Sequence, residues 1–593
     1  MTKNYQFDPV QRIWAKPGTS TLTYSDGDEN EEYLFSVITN AKDVSANSPE
    51  LASAIKDWPS EYHLSPVRHN LLRPFTLGPS DHILELGCGC GAMTRYLGET
   101  GAKVVAVEGS RRRAAIAAAR CRDLPNVSVY CDNLIEFQAD EAFNFVTLIG
   151  VLEYSNQFIA GPDPVCACLE KAGGFLAKDG ALVVAIENQL GLKYFNGCNE
   201  DHVGIPYFGI NGLYRNCDPV TFGRHALAAK FRESGFSVLD FFYPFPDYKL
   251  PGAILSEASL HDHRLNIADL LIHYTGRDYP ETHQRAFSEG LAWRAVLENG
   301  LLPDLANSFV IFARVTDGTL RATNWLAKIY NRNNRRLCYQ VETSIVPGNQ
   351  GELNVVKRRL FPDAPLPHTA WLQHSVNASQ YFTGNLLIGR IQATIAREAS
   401  VDEIAGCFAP WLNFLRGNAE KTTDRLPGHF VDCIPSNLVC CTDTSLRYID
   451  AEWVCHDSIT LAWIIVRGIY HSLDGCLENY NTIHFTYRQL IEKIASLNGF
   501  KLTDADLVLA NHYEKQLADQ VLGSGSGPIS LEEALESKVV GFYRAARNIA
   551  ELRRSHAENE QEVARIKSTI SWQVTKPFRF FSFLWRALKK QFQ

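Results

Sequence analysis

The chain has 593 residues, too many for a single hydrophobic core, so two or three domains are expected. Its 58 Lys+Arg against 66 Asp+Glu leave a net charge of −8, which excludes a general attraction to nucleic acid and confines any basic surface to a local patch. With 46% hydrophobic and 21% charged residues the composition is that of a globular protein, and no apolar run approaches the ~20 residues of a membrane span. Fifteen cysteines occur without a CxxC pair, and "CGC" (Cys88–Cys90) and "CC" (Cys440–Cys441) have the wrong spacing for zinc. The start, "MTKNYQFDPVQRIW", lacks an apolar signal core, so reduced thiols in a cytoplasmic protein are expected.

In chain order, residues 1–60 form a polar extension with no clear pattern. From 61 to 316 strand-like runs alternate with helical ones, the pattern of an α/β sheet. The expected strands are His82–Leu86, Lys103–Glu108, Val127–Tyr130, Phe145–Ile149, Ala181–Ile186 and Ser237–Phe242, with "NSFVIFARV" (Asn307–Val315) closing the sheet. A second unit spans 320–522 and opens with three short strands, "WLAKIY", "CYQVETSIV" and "LNVVKRRLF", before helices follow. "GSGSGP" at 523–528 reads as a linker. Beyond it Ser530 and Glu533 have the spacing of a helical capping box, and Leu535, Val539, Phe542, Ala546 and Ile549 step by four and three as in a coiled-coil seam running to about 570. That seam permits a homo-oligomer, dimer or trimer.

The densest signal is "HILELGCGCGAMTRYLGETGAKVVAVEGS" (His82–Ser110). Gly87, Gly89 and Gly91 let the backbone turn sharply from strand to helix and approach a ligand closely. Glu108 ends the next strand, where an acid accepts from ribose hydroxyls. The glycines alone fit a nicotinamide dinucleotide as well as S-adenosylmethionine (SAM). SAM is favoured by Glu85, placed for the amino group of a methionine moiety, by Asp132 and Asn133 in "YCDNL", placed for an adenine amino group, and by the late apolar run, which suits an added antiparallel strand.

Together "ELGCGCG…VEGS…YCDNL…LIGVLEYS" resembles the class I SAM-dependent methyltransferases, with their Rossmann-like sheet, over roughly 80–316. The resemblance implies that the Glu85–Gly91 loop holds the amino-acid end of SAM, Glu108 the ribose and Asp132 the adenine. SAM carries a good leaving group, so alignment of the acceptor and removal of its proton are what remains for the protein. The stretches "VLEYS" (Val151–Ser155) and "ENQLGLKYFNGCNEDHVG" (Glu187–Gly204) follow strands at the carboxyl end of the sheet, where ligands bind. His202, Glu200 and Asp201 are the candidate bases and Lys193 a partner for an anionic acceptor. "EYHLSPVRHNLLRP" (Glu61–Pro74) is a candidate lid carrying Tyr62, His63 and Arg68.

"FVDCIPSNLVCCTDTSLRYIDAEW" (Phe430–Trp453) has a different chemistry. Asp432, Asn437 and Asp450 occur in an order that supplies one carboxylate to orient a hydroxyl, and an amide with a second carboxylate to hold Mg²⁺ on nucleotide phosphates. The segment resembles the α+β protein-kinase-like fold in its aminoglycoside and choline kinase branch. That implies Asp432 as base, Asn437 and Asp450 as Mg²⁺ ligands and Lys357 as the ATP-phosphate contact. "NRNNRR" stands where that family has a glycine-rich loop, and Phe430 where it has His. Finally, residues 571–593 contain Phe581, Leu584, Trp585, Leu588 and Phe592 on one helical face and Arg579, Arg586 and Lys590 on another, as in a helix that lies on an anionic membrane or binds a partner.

The order of these units resembles the bifunctional methyltransferase/kinase proteins that terminate O-antigen chains, and "SWQVTKPFR" is similar to the ends of bacterial polysaccharide glycosyltransferases. The resemblance implies a lipid-linked or cell-surface glycan as methyl acceptor, a kinase acting on the same glycan end, and a peripheral position on the inner face of the plasma membrane. Two alternatives remain: a small-molecule methyltransferase carrying a dead kinase-like binding domain, and an assembly factor that recruits glycosyltransferases.

Overall fold

The computed structural model describes residues 4–17, 27–279, 285–316, 324–330, 335–367, 371–397, 399–443, 445–474, 485–522, 530–537, 539, 559, 561 and 565. One mixed sheet of fourteen strands organises them. Its strands are β1 (Gln6–Asp8), β2 (Ile13–Ala15), β3 (His82–Leu86), β4 (Lys103–Glu108), β5 (Val127–Cys131), β6 (Phe143–Ile149), β7 (Leu176–Glu187), β8 (Val238–Phe245), β9 (Ala253–Ser256), β10 (Ser308–Arg314), β11 (Ala327–Tyr330), β12 (Val341–Pro347) and β13 (Leu353–Arg359). After β14 (Leu372–His374), which pairs elsewhere, β15 (Ser379–Gln380) completes it. The order is β1-β2-β5-β4-β3-β6-β7-β10-β8-β9-β11-β12-β13-β15.

From β2 to β7 every neighbour is parallel, and from β7 onward every neighbour is antiparallel. The parallel strands are apolar without alternation because helices cover both faces. Ile83, Leu84, Leu86, Val146, Leu148 and Val184 are fully buried. The run expected to close the sheet, β10, instead inserts antiparallel between β7 and β8, with Phe309 opposite Ile186 and Val310 opposite Phe242. The edge of β8 is thereby left to β9.

The polar N-terminal stretch also belongs to the sheet. β1 and β2 form a hairpin, and β2 pairs in parallel with β5 through Trp14↔Tyr130 and Ala15↔Cys131. At the other edge β11 pairs with β9 (Ala327↔Leu255, Ile329↔Ala253), so the strands expected to open a second unit continue the first unit's sheet.

Beyond β15 the chain is mainly helical. Val401–Asn418, Leu461–Asp474, Tyr487–Leu497 and Asp504–Val521 pack around the fully buried Phe408, Trp411 and Trp463. The Trp411 indole donates to the Cys433 carbonyl (2.8 Å), tying the "DCIPSN" turn to this core. Ser530 caps a short helix, Leu531–Glu536, by accepting from the Glu533 amide (3.2 Å). Leu535 and Val539, the first two seam residues, are buried in this core. The rest of the seam and the aromatic-basic tail lie outside the described residues. Among the described residues no helix is long and apolar enough to cross a membrane, and the fourteen described cysteines are all free thiols.

Candidate active site

β3 ends at Leu86, and the chain then turns through Gly87 (φ 76°), Gly89 (φ 56°) and Gly91 (φ 79°) into the helix Ala92–Glu99. All three lie in the left-handed region that favours glycine. At Gly87 a Cβ would lie 2.5 Å from Val151 Cγ2, and at Gly91 one would lie 2.7 Å from Ala117 Cα. The Glu108 carboxylate braces this turn by accepting from the Gly89 amide (2.8 Å) and the Ser110 amide (2.9 Å).

The turn and Glu108 form one wall of a cavity of ≈ 320 Å³, which Asp132 also lines. Asp132 is nearly inaccessible; its Oδ1 accepts from the Asn133 amide (3.0 Å), while Oδ2 is held by Lys16 (2.6 Å) and by the Tyr5 hydroxyl. Tyr5 and Lys16 come from the N-terminal stretch, where no sequence pattern marked them. Asn133 turns its side chain to the Ile135 amide (3.1 Å). Glu85 is buried behind the loop, where Thr94 Oγ1 donates to it (2.6 Å). Burial, partly offset by that hydrogen bond, pushes Glu85 up to about 7.

These features fit SAM. Unbranched glycine backbone at Gly87 borders the cavity, and the Glu108 and Asp132 carboxylates, expected for ribose and adenine, line it as well. The fit rests on the chain's own geometry.

The same cavity continues to Trp58, Tyr62, Glu153, Tyr154, His202, Tyr248 and Lys249. Trp58 stacks on Tyr279 with ring centroids 3.9 Å apart, and Arg68 donates to the Tyr62 hydroxyl (2.6 Å), so the helix Trp58–Leu64 presents an aromatic face to the cavity. Behind lies a buried charge cluster. Lys249 bonds Glu187 and Asp201, the latter at 2.8 Å, and Lys193 bonds Asp201 (2.7 Å). Lys193 is therefore used inside the protein, and its side chain is only 1% exposed.

His202 Nε2 faces Glu187 Oε2 (3.4 Å), and its Nδ1 lies 3.1 Å from the Tyr154 hydroxyl. Burial works against the imidazolium, but Glu187, aided by Glu153 and Glu200, outweighs it and holds His202 at about 9. Burial would raise Glu187, yet Lys249 and His202 hold it at about 2. Burial, then the Glu187 charge, pushes Glu153 up to about 8. Glu200 spends its carboxylate on the amides of His202 (2.9 Å) and Val203 (2.6 Å), shaping the loop. Glu153 and Glu187 lay inside the stretches read as candidates but carried no motif of their own. Lys249, in "PDYKLPG" after β8, had no sequence signal.

In the second unit the folding gathers all four expected residues. Lys357 on β13 pairs with Asp450 and with Glu452 (3.2 Å). The Asn437 amide donates to Asp432 (3.0 Å), which Arg467 also holds (2.9 Å). Asp450 itself has φ 60°, a left-handed backbone that costs a non-glycine residue about 1–3 kcal/mol. Glu452, the partner of Lys357 that sequence reading did not assign, is buried against Arg335 (2.5 Å).

Residues 83–173 match a family model described as a methyltransferase domain, which takes in the glycine turn, Glu108, Asp132 and Glu153. The chain carries a class I SAM-dependent methyltransferase domain, and it is an enzyme of that class with SAM as its cofactor. Similar solved structures include a SAM-dependent methyltransferase of Thermotoga maritima (18% identity, 43% of this chain and 91% of that chain, TM-score 0.25). They also include the N-methyltransferase NodS of Bradyrhizobium japonicum in complex with S-adenosyl-L-homocysteine (18%, 27% and 75%, TM-score 0.20). A third is phosphoethanolamine N-methyltransferase 2 of Haemonchus contortus in complex with S-adenosyl-L-methionine (15%, 42% and 52%, TM-score 0.25). No curated protein matches the chain.

Proposed function

We propose that the chain transfers the methyl group of SAM to a hydroxylated acceptor, the end of a lipid-linked or cell-surface bacterial glycan. One observation carries the reading: a single cavity joins Glu108 and Asp132 to Trp58, Tyr62, Glu153, Tyr154 and His202. An aromatic face beside a few convergent polar groups suits a sugar, which offers a flat apolar side and several hydroxyls. Bound SAM supplies an electrophilic methyl on a sulfonium that leaves as a neutral thioether. The residues then have to orient the acceptor and receive its proton. His202, expected as a base, holds its own proton near neutral pH and serves to hold the acceptor oxygen. Glu153, whose carboxyl oxygens have no hydrogen-bond partner and whose proton burial retains to about pH 8, receives the acceptor's proton in its ionised form, so transfer rises with pH towards 8. Glu200 acts on the loop that carries His202.

The test is methyl transfer from labelled SAM to the host's envelope glycans. Glu108→Ala should weaken SAM binding by calorimetry at least ~10-fold, because it removes a charge-assisted acceptor. Label appearing only in small molecules would remove the glycan acceptor and leave the small-molecule alternative.

A second reading is favoured by the meeting of Lys357 with Asp450 across a long stretch of chain, beside the local pair of Asp432 with Asn437. On the kinase-like pattern, Asp432 orients the attacking hydroxyl, Asn437 and Asp450 hold Mg²⁺, and Lys357 meets ATP phosphate. The glycan end would then receive both phosphate and methyl, with the C-terminal segment holding the enzyme at the membrane or on a glycosyltransferase. ATP turnover by the full chain should fall at least ~100-fold in Asp450→Ala. Turnover unchanged by that substitution would leave a binding domain.

A further inference from the structure

The carboxylates of Glu153 and Glu187 and the imidazole of His202 place one ligand atom each within 4.8 Å of one another at the acceptor end of the cavity. Glu153 and Glu187 are 1% and 0% exposed, and the His202 side chain is 6% exposed. Both Glu153 oxygens have no hydrogen-bond partner, while Glu187 Oε2 and His202 Nε2 meet only each other, as an ion pair at 3.4 Å. Burying such groups unsatisfied is costly, and Glu153 and His202 face the cavity. Around them Glu200, Asp201 and Asp247 add carboxyl groups, balanced in part by the ammonium groups of Lys193 and Lys249. A carboxylate and an imidazole at the cavity wall, with a second carboxylate buried directly behind them, are the donors that divalent transition ions prefer, with the cavity side left for substrate or water.

We propose that Glu153, Glu187 and His202 form a divalent transition-metal site at the acceptor end of the methyltransferase cavity. Lys249, through Glu187 Oε1, positions one of the ligands and leaves Glu187 Oε2 for the metal. With the metal bound, Glu153 is a ligand; the cation rather than His202 would hold the acceptor oxygen and lower its pKa, so that its proton leaves to water. The role assigned to the cation rests on reading this wall as the acceptor end; its binding does not.

The probe is Co²⁺, titrated into the full chain after chelator treatment and followed by calorimetry and visible absorption. An Asp450→Asn background removes the other candidate cation position. One equivalent of Co²⁺ with the absorption of a mixed nitrogen and oxygen ligand set is expected. Glu153→Gln and His202→Asn should each weaken it at least ~10-fold. Glu153→Gln preserves side-chain shape, and SAM binding by the same samples reports an intact domain.

No Co²⁺ bound by the parent protein would overturn the proposal without recourse to any variant. So would Co²⁺ lost only in Glu233→Gln, since Asp163, Cys166 and Glu233 form the other such group among the described residues. Co²⁺ bound without SAM would sink the methyltransferase reading and spare this one; SAM bound without Co²⁺ would do the reverse.

Discussion

Glu85 and Glu108 belong to adjacent parallel strands, yet their surroundings differ. Glu108 meets two backbone amides at the cavity wall, whereas Glu85 is sealed behind the glycine turn with Thr94 as its hydrogen-bond donor. Burial pushes Glu85 up to about 7 from an ordinary glutamate value. An acid raised in the folded state binds more protons folded than unfolded. The contribution of Glu85 to the stability of the ligand-free protein is therefore fully present below about pH 4.5 and is lost as pH rises through 7, by up to roughly 3 kcal/mol. Melting temperature between pH 5 and 8 should fall more in the parent than in Glu85→Gln. Equal slopes would show that Glu85 is solvated. Motif position marked both Glu85 and Glu108, but only Glu108 lines the cavity; Glu85, expected at the amino-acid end of SAM, is buried behind the turn. Nor could motif position find Tyr5 or Lys16, because their meeting with Asp132 needs β2 and β5 to be brought together.

At the scale of elements, the glycine turn works only because of the helix beside it. Arg111–Arg120 presents Ala114, Ala117 and Ala118, small enough for Gly91 to approach the helix backbone. Gly91→Ala would meet Ala117 Cα at 2.7 Å and would force alanine to φ 79°. A loss of about 1–3 kcal/mol is expected, with weaker SAM binding, measured by denaturant unfolding and calorimetry. Unchanged stability would mean that the helix shifts freely. The core strands were legible because parallel strands buried on both faces are continuous apolar runs. The place of β10 was not, since an apolar run says that a strand is buried and not which neighbours it has.

For the whole molecule, the β9–β11 pairing makes one sheet of what the sequence divides at about 316–320. All four β9 residues are buried. Cutting the chain after residue 316 would bare that strand's hydrogen-bonding edge, a template for aggregation. A 1–316 fragment should aggregate or melt lower than the methyltransferase portion of the full chain. A soluble monomer with an unchanged melting temperature, by scanning calorimetry and light scattering, would show that the pairing adds nothing. The intact chain should lose SAM-protected structure in the same transition that exposes β11.

Local patterns were enough for the cofactor turn and the carboxylate after the next strand, because close backbone approach and ribose recognition demand particular residues at short, regular spacing. They also marked Asp432, Asn437 and Asp450, which a turn and a short strand hold close in the chain. Only tertiary structure joined Glu153, Glu187, His202 and Lys249, which come from three separate stretches whose charges are tolerable only together. It also decided that the two units share a sheet. Edge pairing is made by backbone amides and carbonyls, which every non-proline residue carries and which therefore leave little trace in side-chain sequence.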